Sequence, residues 1–255
     1  MGPFRGLAVN RDRHRSDADV DWSNIHSADA SWRTRLLGDL SEAYAIPRYV
    51  EIFLQTFGGD RGLRFLEVGA GNGEVPRCLQ ELAPPCVGEY VVSELFADGA
   101  RWLRSQNLTA CVADAQQLPF ADGAFDAVIS YDVLHHVSDP YRMAQEMIRV
   151  SRGRLLLTES NGLSLGRKLM EQTAGHKAAG ERSYTPWRYR QFFTAGGRRL
   201  CSFRIRPFLF PVPGGVPSPL LRPLIFFNRV IERVPFARWQ CSNVWMTLEV
   251  ENPVP

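Results

Sequence analysis

The sequence lacks the features that mark secreted, membrane-spanning and metal-binding chains. Its 255 residues contain no run of the ~20 apolar residues that a membrane-spanning helix needs. The first 20 residues are charged and have no apolar centre, so nothing there resembles a secretory leader. The five cysteines are odd in number, and no two have the C-x-x-C spacing of a zinc or redox site. We therefore expect reduced cysteines, no metal site and a cytoplasmic location.

A strong charge of one sign is also missing. The 30 basic and 27 acidic residues leave a net charge of +3, which is too balanced to indicate a nucleic-acid partner. Hydrophobic residues make up 45% of the chain and charged residues 22%, as in ordinary globular proteins. The length fits one large domain better than two.

The period of the apolar residues changes along the chain and predicts its organisation. Short apolar runs alternate with helical segments in the middle of the chain, as in right-handed βαβ units. We predict an α/β fold, with a doubly wound, mostly parallel seven-stranded sheet, N-terminal helices and a C-terminal lid insert. By residue number, a flexible tail (1–20) precedes a single domain (21–255), which consists of cap helices (21–60), a core (61–160) and a C-terminal part (161–255) with the insert at about 211–239.

The N-terminal part has helical spacing from about Trp22 to Phe57. Pro47 interrupts this pattern and predicts two helices rather than one. Gly58-Gly59 is expected to end the second helix.

The proline-rich insert also has a helical pattern. One stripe is apolar and predicts a lid helix packed on the domain. Another side is basic and aromatic, and it is expected either to face solvent or, alternatively, to meet a hydrophobic acceptor or a membrane surface. The apolar stripe consists of Leu220, Leu224, Phe227, Ile231 and Val234, and the basic side of Arg222, Arg229 and Arg233 with Phe226.

Three glycines at alternate positions, Gly69, Gly71 and Gly73, stand between a predicted buried strand and a predicted helix. Without a Cβ they allow a sharp turn and the close approach of a ligand. A dinucleotide site needs G-x-G-x-x-G, and here the third position is Glu74, whose carboxylate would repel a pyrophosphate. S-adenosylmethionine (SAM) has no phosphate and carries an ammonium group. Glu67 and Glu74 therefore favour SAM over a dinucleotide.

The segment Phe65–Glu74 resembles motif I, E/D-x-G-x-G-x-G, of the SAM-dependent methyltransferases with a Rossmann-like fold. Later segments extend the resemblance in the expected order. It implies SAM as the cofactor and S-adenosylhomocysteine as the product. These segments are Val91–Leu95, which ends a strand with a carboxylate; Ala113–Phe120, which looks like D-A-x-x-L-P-F; Phe125–Val137, which resembles the F-D-x-V…L-H-H-V stretch of the branch that includes quinone and sterol C-methyltransferases; and Arg149–Leu157, which resembles R-V-L-K-P-G-G-x-L-L-L with a deletion in the turn.

The resemblance also implies roles for single residues. Glu94 is expected to accept hydrogen bonds from both ribose hydroxyls, although aspartate is more usual there, and a shift of one residue would place Ser93 at the site. Asp114 is expected to receive the adenine amino group. The complete set of implied cofactor-binding residues is Glu67, Gly69, Ala70, Gly71, Asn72, Gly73, Glu94, Leu95, Asp114, Ala115 and Tyr131.

Two adjacent histidines, His135 and His136, follow the fourth predicted strand, at the edge where open α/β sheets bind ligands. Imidazole titrates near neutrality, so His136, or else His135, is a candidate general base. The alternative is that one histidine supports the loop by a hydrogen bond while the other packs. Tyr131 and Asp132 are expected to line the pocket.

The resemblance implies a methyltransferase for a small acceptor that is hydrophobic or natural-product-like. An RNA or protein acceptor is disfavoured, because Ser130–Val133 stands where such enzymes have N/D-P-P-Y/F. A non-catalytic SAM-binding protein is the remaining alternative. We expect a small-molecule substrate, no nucleic acid and no stable membrane insertion, with residues 219–235 as a candidate surface contact.

Overall fold

A computed structural model describes residues 44–172, 182–194, 199–209 and 216–251, together with the backbone of Leu37–Gly38. The predicted tail and most of the predicted first cap helix lie outside these residues. Within the described part of the chain, no helix is both long enough and apolar enough to cross a membrane.

One seven-stranded sheet organises the molecule. In space the strands follow the order β3-β2-β1-β4-β5-β7-β6, and the first five are parallel. The β7 strand runs antiparallel to both β5 and β6. The predicted α/β class and mostly parallel sheet are therefore confirmed. The strands are β1 (Leu63–Val68), β2 (Val87–Glu94), β3 (Thr109–Val112), β4 (Phe125–Tyr131), β5 (Ser151–Ser160), β6 (Leu200–Phe208) and β7 (Asn243–Val250).

Helices cover the two faces of the sheet, and the pleat of the strands explains why both faces are apolar. Along β1, Phe65 points into the cluster formed with α1 and α2, whereas Leu66 and Val68 point into the cluster formed with α4 and α6. The helices are α1 (Ile46–Phe57), α2 (Glu74–Leu82), α3 (Ala97–Ser105), α4 (Pro140–Val150), α5 (Leu165–Met170), α6 (Pro186–Thr194) and α7 (Ser218–Ile231), followed by a 3₁₀ turn at Ala237–Gln240.

The prediction for the N-terminal helices was wrong in one detail. Pro47 lies in the first turn of α1, where its missing N–H has no intrahelical acceptor to lose, and the helix predicted before it lies outside the described residues. Leu37–Gly38 is not helical: its backbone pairs antiparallel with Val216–Pro217, just before α7. Gly58 ends α1 as expected.

The apolar stripe of α7 is only partly packed on the domain. Leu224 and Ile231 are half-buried, whereas Leu220, Phe227 and Val234 are exposed. The most buried side chain described in this helix is Asn228, which donates to the Leu224 carbonyl oxygen at 3.1 Å. The stripe lies at the border between the inner and outer sides of the helix.

A carboxylate after α7 attaches the insert to α1. Glu232 accepts hydrogen bonds from the Tyr44 hydroxyl at 2.5 Å and from Arg48 at 2.9 and 3.1 Å. Arg229 forms an ion pair with Glu51 at 2.7 Å. These contacts fix the C-terminal end of α7 on the side of α1 that carries Tyr44, Arg48 and Glu51.

Candidate active site

A cavity of about 320 Å³ opens at the carboxyl end of β1 and β4, where parallel sheets bind their ligands. Its volume lies within the range of small-molecule sites. Both the cofactor motif and α1 contribute to its wall. The lining residues are Ile46, Tyr49, Glu67, Gly69, Ala70, Gly71, Asn72, Glu74, Val75, Tyr131 and Asp132. None of the described residues of the insert, 216–239, is among them.

The glycines of the turn between β1 and α2 serve different purposes. All three have a positive φ. A Cβ on Gly69 would lie 2.6 Å from the Val133 Cγ2 atom, and one on Gly73 would lie 2.7 Å from the Leu103 Cδ2 atom. A Cβ on Gly71 would have no described atom within 4 Å. Chain packing therefore requires glycine at 69 and 73, whereas Gly71 presents bare backbone to the cavity.

Glu67 is buried beneath this turn. Its carboxylate accepts a hydrogen bond from the Tyr90 hydroxyl at 2.7 Å. Burial raises the pKa of Glu67 to about 8. The hydrogen bond from Tyr90 opposes this shift, and the negative charge of Glu94 adds to it. A cation in the cavity would favour the ionised form, so the site is arranged to gain from a positively charged ligand group.

Glu94 lies at the end of β2, next to the glycine turn. Its two carboxylate oxygens accept hydrogen bonds from the Gly71 N–H at 3.0 Å and the Leu95 N–H at 2.8 Å. A Cβ on Gly99 would lie 2.6 Å from the Glu94 Cγ atom, so a glycine in α3 makes room for the longer side chain. The alternative residue, Ser93, is fully buried, and its hydroxyl donates to the Glu67 carbonyl oxygen.

The remaining predicted cofactor residues lie at the same sheet edge but not in the cavity wall. Asp114 follows β3, is exposed, and accepts hydrogen bonds from the backbone and side chain of Gln116 at 2.8 and 3.2 Å. Ala115 is buried beside it, and Leu95 is exposed after β2.

Aromatic and acidic side chains form the side of the cavity opposite the turn. Tyr49 of α1 stacks on Tyr131 with ring centroids 5.2 Å apart, and its hydroxyl donates to Asp132 at 2.6 Å. Asp132 has a φ of +56° and also accepts from Thr158 at 3.3 Å and Asn243 at 3.0 Å. The buried Tyr131 hydroxyl has no hydrogen-bond partner among the described residues. A ligand in the cavity could satisfy this hydroxyl.

The two histidines lie behind the cavity wall rather than in it. The His135 Nδ1 atom is 2.7 Å from a Glu159 carboxylate oxygen, and both side chains are buried. Glu159 also accepts from the Leu134 N–H at 2.7 Å and the Val133 N–H at 3.2 Å. Burial lowers the pKa of His135, but the negative charge of Glu159 raises it by more, so the pKa of His135 is raised overall. His136 is exposed. This arrangement ties down the loop after β4.

Residues 66–157 match the protein family described as "Methyltransferase domain". The match begins in β1 and ends in β5, and it includes the glycine turn, Glu94 and Asp114. The matched segment, 92 of the 255 residues, is similar to that family, and its fold is that of the class I methyltransferases. This family uses SAM as its methyl donor, and the bare backbone at Gly71 and the buried Glu67 are compatible with that ligand.

Curated relatives of the methyltransferase domain are similar over only part of their length. A demethylmenaquinone methyltransferase from Beutenbergia cavernae is 36% identical over 108 residues, which cover 42% of this chain and 44% of the relative. The chain thus spans less than half the length of this relative.

Solved structures share the fold of the methyltransferase domain over a longer stretch. A SAM-dependent methyltransferase from Thermotoga maritima has 15% identity and a TM-score of 0.55, covering 82% of this chain and 97% of that one. The [4+2]-cyclase SpnF has 19% identity and a TM-score of 0.51, covering 82% of both chains. Since a cyclase has the same fold, the fold by itself does not establish methyl transfer.

Sequence reasoning missed the acceptor-side residues of α1. Neither Ile46 nor Tyr49 was among the predicted site residues, because helical spacing cannot show that one turn of α1 reaches the cavity. The hydrogen bond from Asn243 to Asp132 joins residues 111 positions apart, so no local sequence pattern could predict it. A polar hydroxyl within an apolar stripe was the available signal for Tyr49.

Proposed function

We propose that this chain is a SAM-dependent methyltransferase acting on a small acceptor that is hydrophobic or natural-product-like. The observation that carries this proposal is the cavity at the glycine turn, where Gly71 exposes backbone and Glu67 supplies a buried carboxylate. The donor, when bound, supplies a methyl group on an already activated sulfonium. The residues of the chain then have to align the acceptor and exclude water.

The cofactor side of the site follows from the geometry of the turn. Glu67, Gly69, Ala70, Gly71, Asn72 and Gly73 would hold the methionine part, with the ammonium group near Glu67. Glu94 would hold the ribose, because its carboxylate lies at Gly71 whereas the Ser93 hydroxyl is used within the sheet. Leu95, Asp114 and Ala115 would border the adenine, and Tyr131 would close the end near the methyl group.

The acceptor side would be formed by α1 and the loop after β4. Ile46 and Tyr49 give this side an apolar and aromatic surface, and Asp132 gives it a carboxylate. Asp132 is held by three side chains from three elements, so its position is fixed before a ligand arrives. It is better placed than His135 or His136 to hold a polar group of the acceptor.

The apolar and aromatic wall formed by Ile46 and Tyr49, together with the similarity to a demethylmenaquinone methyltransferase, supports a small hydrophobic acceptor. A non-catalytic or differently catalytic SAM-binding protein is the second candidate, and the shared fold of a [4+2]-cyclase favours considering it. Binding of SAM alone does not separate the two candidates, whereas turnover does.

Titration calorimetry with SAM and the Gly71→Ala variant tests the cofactor half of the proposal. The added methyl group meets only the ligand, so SAM affinity should fall by about 10- to 100-fold. Gly62→Ala is the matched control: its φ of +62° strains an alanine much as the +55° of Gly71 does, its Cβ has no described atom within 4 Å, and it lies outside the turn, so its affinity should equal that of the wild type. Wild-type protein that does not bind SAM would contradict the proposal.

Release of S-adenosylhomocysteine tests the catalytic half. With quinones and phenols as acceptors, demethylmenaquinone included, we expect acceptor-dependent release that Asp132→Asn lowers. SAM binding without release for any of these acceptors would favour the non-catalytic candidate instead.

A further inference from the structure

The outer side of α7 exposes apolar side chains. Phe226 is 72% exposed and Val230 40% exposed, whereas Asn228, on the opposite side of the helix, is fully buried. The half-buried Leu221 and Ile225 lie on the same inner side as Asn228, so α7 carries apolar residues on both sides. The inner ones pack on the molecule, whereas the outer ones are left uncovered in the described part of the chain.

The loop after α7 adds a second exposed aromatic ring. Phe236 is 88% exposed, with φ +66° and ψ −52°. The Ala237 N–H donates to the Pro235 carbonyl oxygen at 2.8 Å, which closes a γ-turn of the rare, strained kind around Phe236. Just beyond, Asn161 donates to the carbonyl oxygens of Trp239 and Cys241 and anchors the chain to the core. The structure holds Phe236 outward at an energetic cost, as at many functional positions.

Positive charge borders these apolar residues. Arg222 and Arg233 are exposed on the edge of the outer side next to Phe226. The sequence from 216 to 240 contains four arginines and one acidic residue, Glu232, whose carboxylate is directed inward. We call Leu220, Arg222, Phe226, Val230, Arg233 and Phe236 the outer surface of α7.

We propose that the outer surface of α7 binds the interface of an anionic lipid bilayer. Apolar side chains with flanking arginines match a boundary between acyl chains and negatively charged headgroups. The helix has 14 residues, or about 21 Å, so it lies in the interface rather than across it. Contact with a second copy is less favourable, because a symmetric contact would bring two arginine-bordered surfaces together with no acidic side chain between them.

Lipid contact at this surface would lie one helix away from the cavity. The α1 helix contacts α7 through Tyr44, Arg48 and Glu51, and it lines the cavity with Ile46 and Tyr49. A bilayer under α7 would therefore hold the acceptor-side wall close to a lipid phase, from which a hydrophobic molecule could enter. The lipid contact itself does not depend on the proposed function, because it is measured by binding to vesicles.

Vesicle flotation with the full chain tests the proposal. We expect binding to vesicles of phosphatidylcholine with phosphatidylglycerol, weaker binding to phosphatidylcholine alone, and loss on adding salt. Reversing two charges with Arg222→Glu and Arg233→Glu should weaken binding by at least about 25-fold. Replacing two rings with Phe226→Ser and Phe236→Ser should weaken it by at least about tenfold.

Matched controls come from α6, outside this surface. Trp187→Ser removes an exposed ring, and Arg190→Glu reverses an exposed charge. Both should bind vesicles like the wild type, and circular dichroism should show that all variants are folded. Failure of the wild type to bind phosphatidylglycerol vesicles, or equal losses in the α6 controls, would overturn the proposal. A wild-type dimer that Phe226→Ser converts to a monomer in sedimentation would overturn it as well and assign the surface to a second copy.

Discussion

The helix α1 on the sheet and the helix α7 differ in how far their aromatic side chains are buried. On the sheet, α1 inserts Phe53 and Phe57 against Phe65, with ring centroids 5.0 Å from that residue. The α7 helix instead buries Asn228 and leaves Phe226 exposed. Apolar periodicity therefore indicates where a helix forms but not what its apolar side meets. Four predictions, from the largest expected effect to the smallest, test this contrast.

The largest effect is expected for Phe53→Ala. Phe53 is fully buried among aromatic rings of α1, β1 and β2, so its truncation leaves a cavity that the sheet cannot close. The free energy of unfolding should fall by about 4 kcal/mol in urea denaturation. A loss no larger than that of a surface substitution would show that α1 is not part of the folded core.

Glu232→Ala should have the next largest effect. It leaves Arg48, whose side chain is largely buried, with Glu51 at 3.2 Å as its remaining carboxylate partner, and it removes the acceptor of the Tyr44 hydroxyl. The free energy of unfolding should fall by about 3 kcal/mol. Glu81→Ala, at an exposed position on α2, is the control and should be neutral. Equal stabilities of the two variants would mean that α7 is not fixed to α1.

Glu67 should make stability depend on pH. Its folded pKa is raised from 4.5 to about 8, so between these values the unfolded state releases a proton that the folded state keeps. Stability should therefore fall as pH rises through this window, by up to about 1.4 kcal/mol between pH 6 and pH 7. Denaturation of wild type and Glu67→Gln at these two pH values isolates this effect. Parallel curves for the two proteins would show that Glu67 ionises normally.

The smallest effect is expected for Phe226→Ala. The ring is mostly exposed, so the free energy of unfolding should change by less than about 0.5 kcal/mol. The comparison with Phe53→Ala uses the same substitution in the same assay. A loss of several kcal/mol would place Phe226 in a packed interface and remove the contrast between the two regions.

The segment between β1 and β5 was predictable because the local sequence of each helix and strand indicates its structure. Alternating apolar runs, glycines at turns and Pro140 in the first turn of α4 all agree with the buried parallel sheet. The prediction for the ends of the chain was less accurate. Leu37 fits a helical spacing, but its backbone pairs with Pro217 far along the chain, and only such tertiary contacts decide between helix and strand.

The residues of the candidate site likewise fall into a part that the sequence predicted and a part that it did not. Glu67, Gly71 and Glu94 belong to a contiguous motif and its neighbouring strand, so spacing was enough to bring them together. Tyr49 and Asp132 meet because α1 crosses the end of β4, and that crossing depends on tertiary packing. The histidine pair shows the limit of resemblance: its spacing was recognisable, but its hydrogen bond to Glu159 was not.

The contact of Glu232 with Tyr44 and Arg48 has a consequence for how such proteins diversify. The wall on the acceptor side comes from two segments far apart in sequence, and this carboxylate makes each dependent on the other. A chimera that takes α1 or α7 alone from a relative would bury a charge without its partner. New acceptor preferences are therefore easiest to reach when both segments are exchanged together, while the residues around the glycine turn stay as they are.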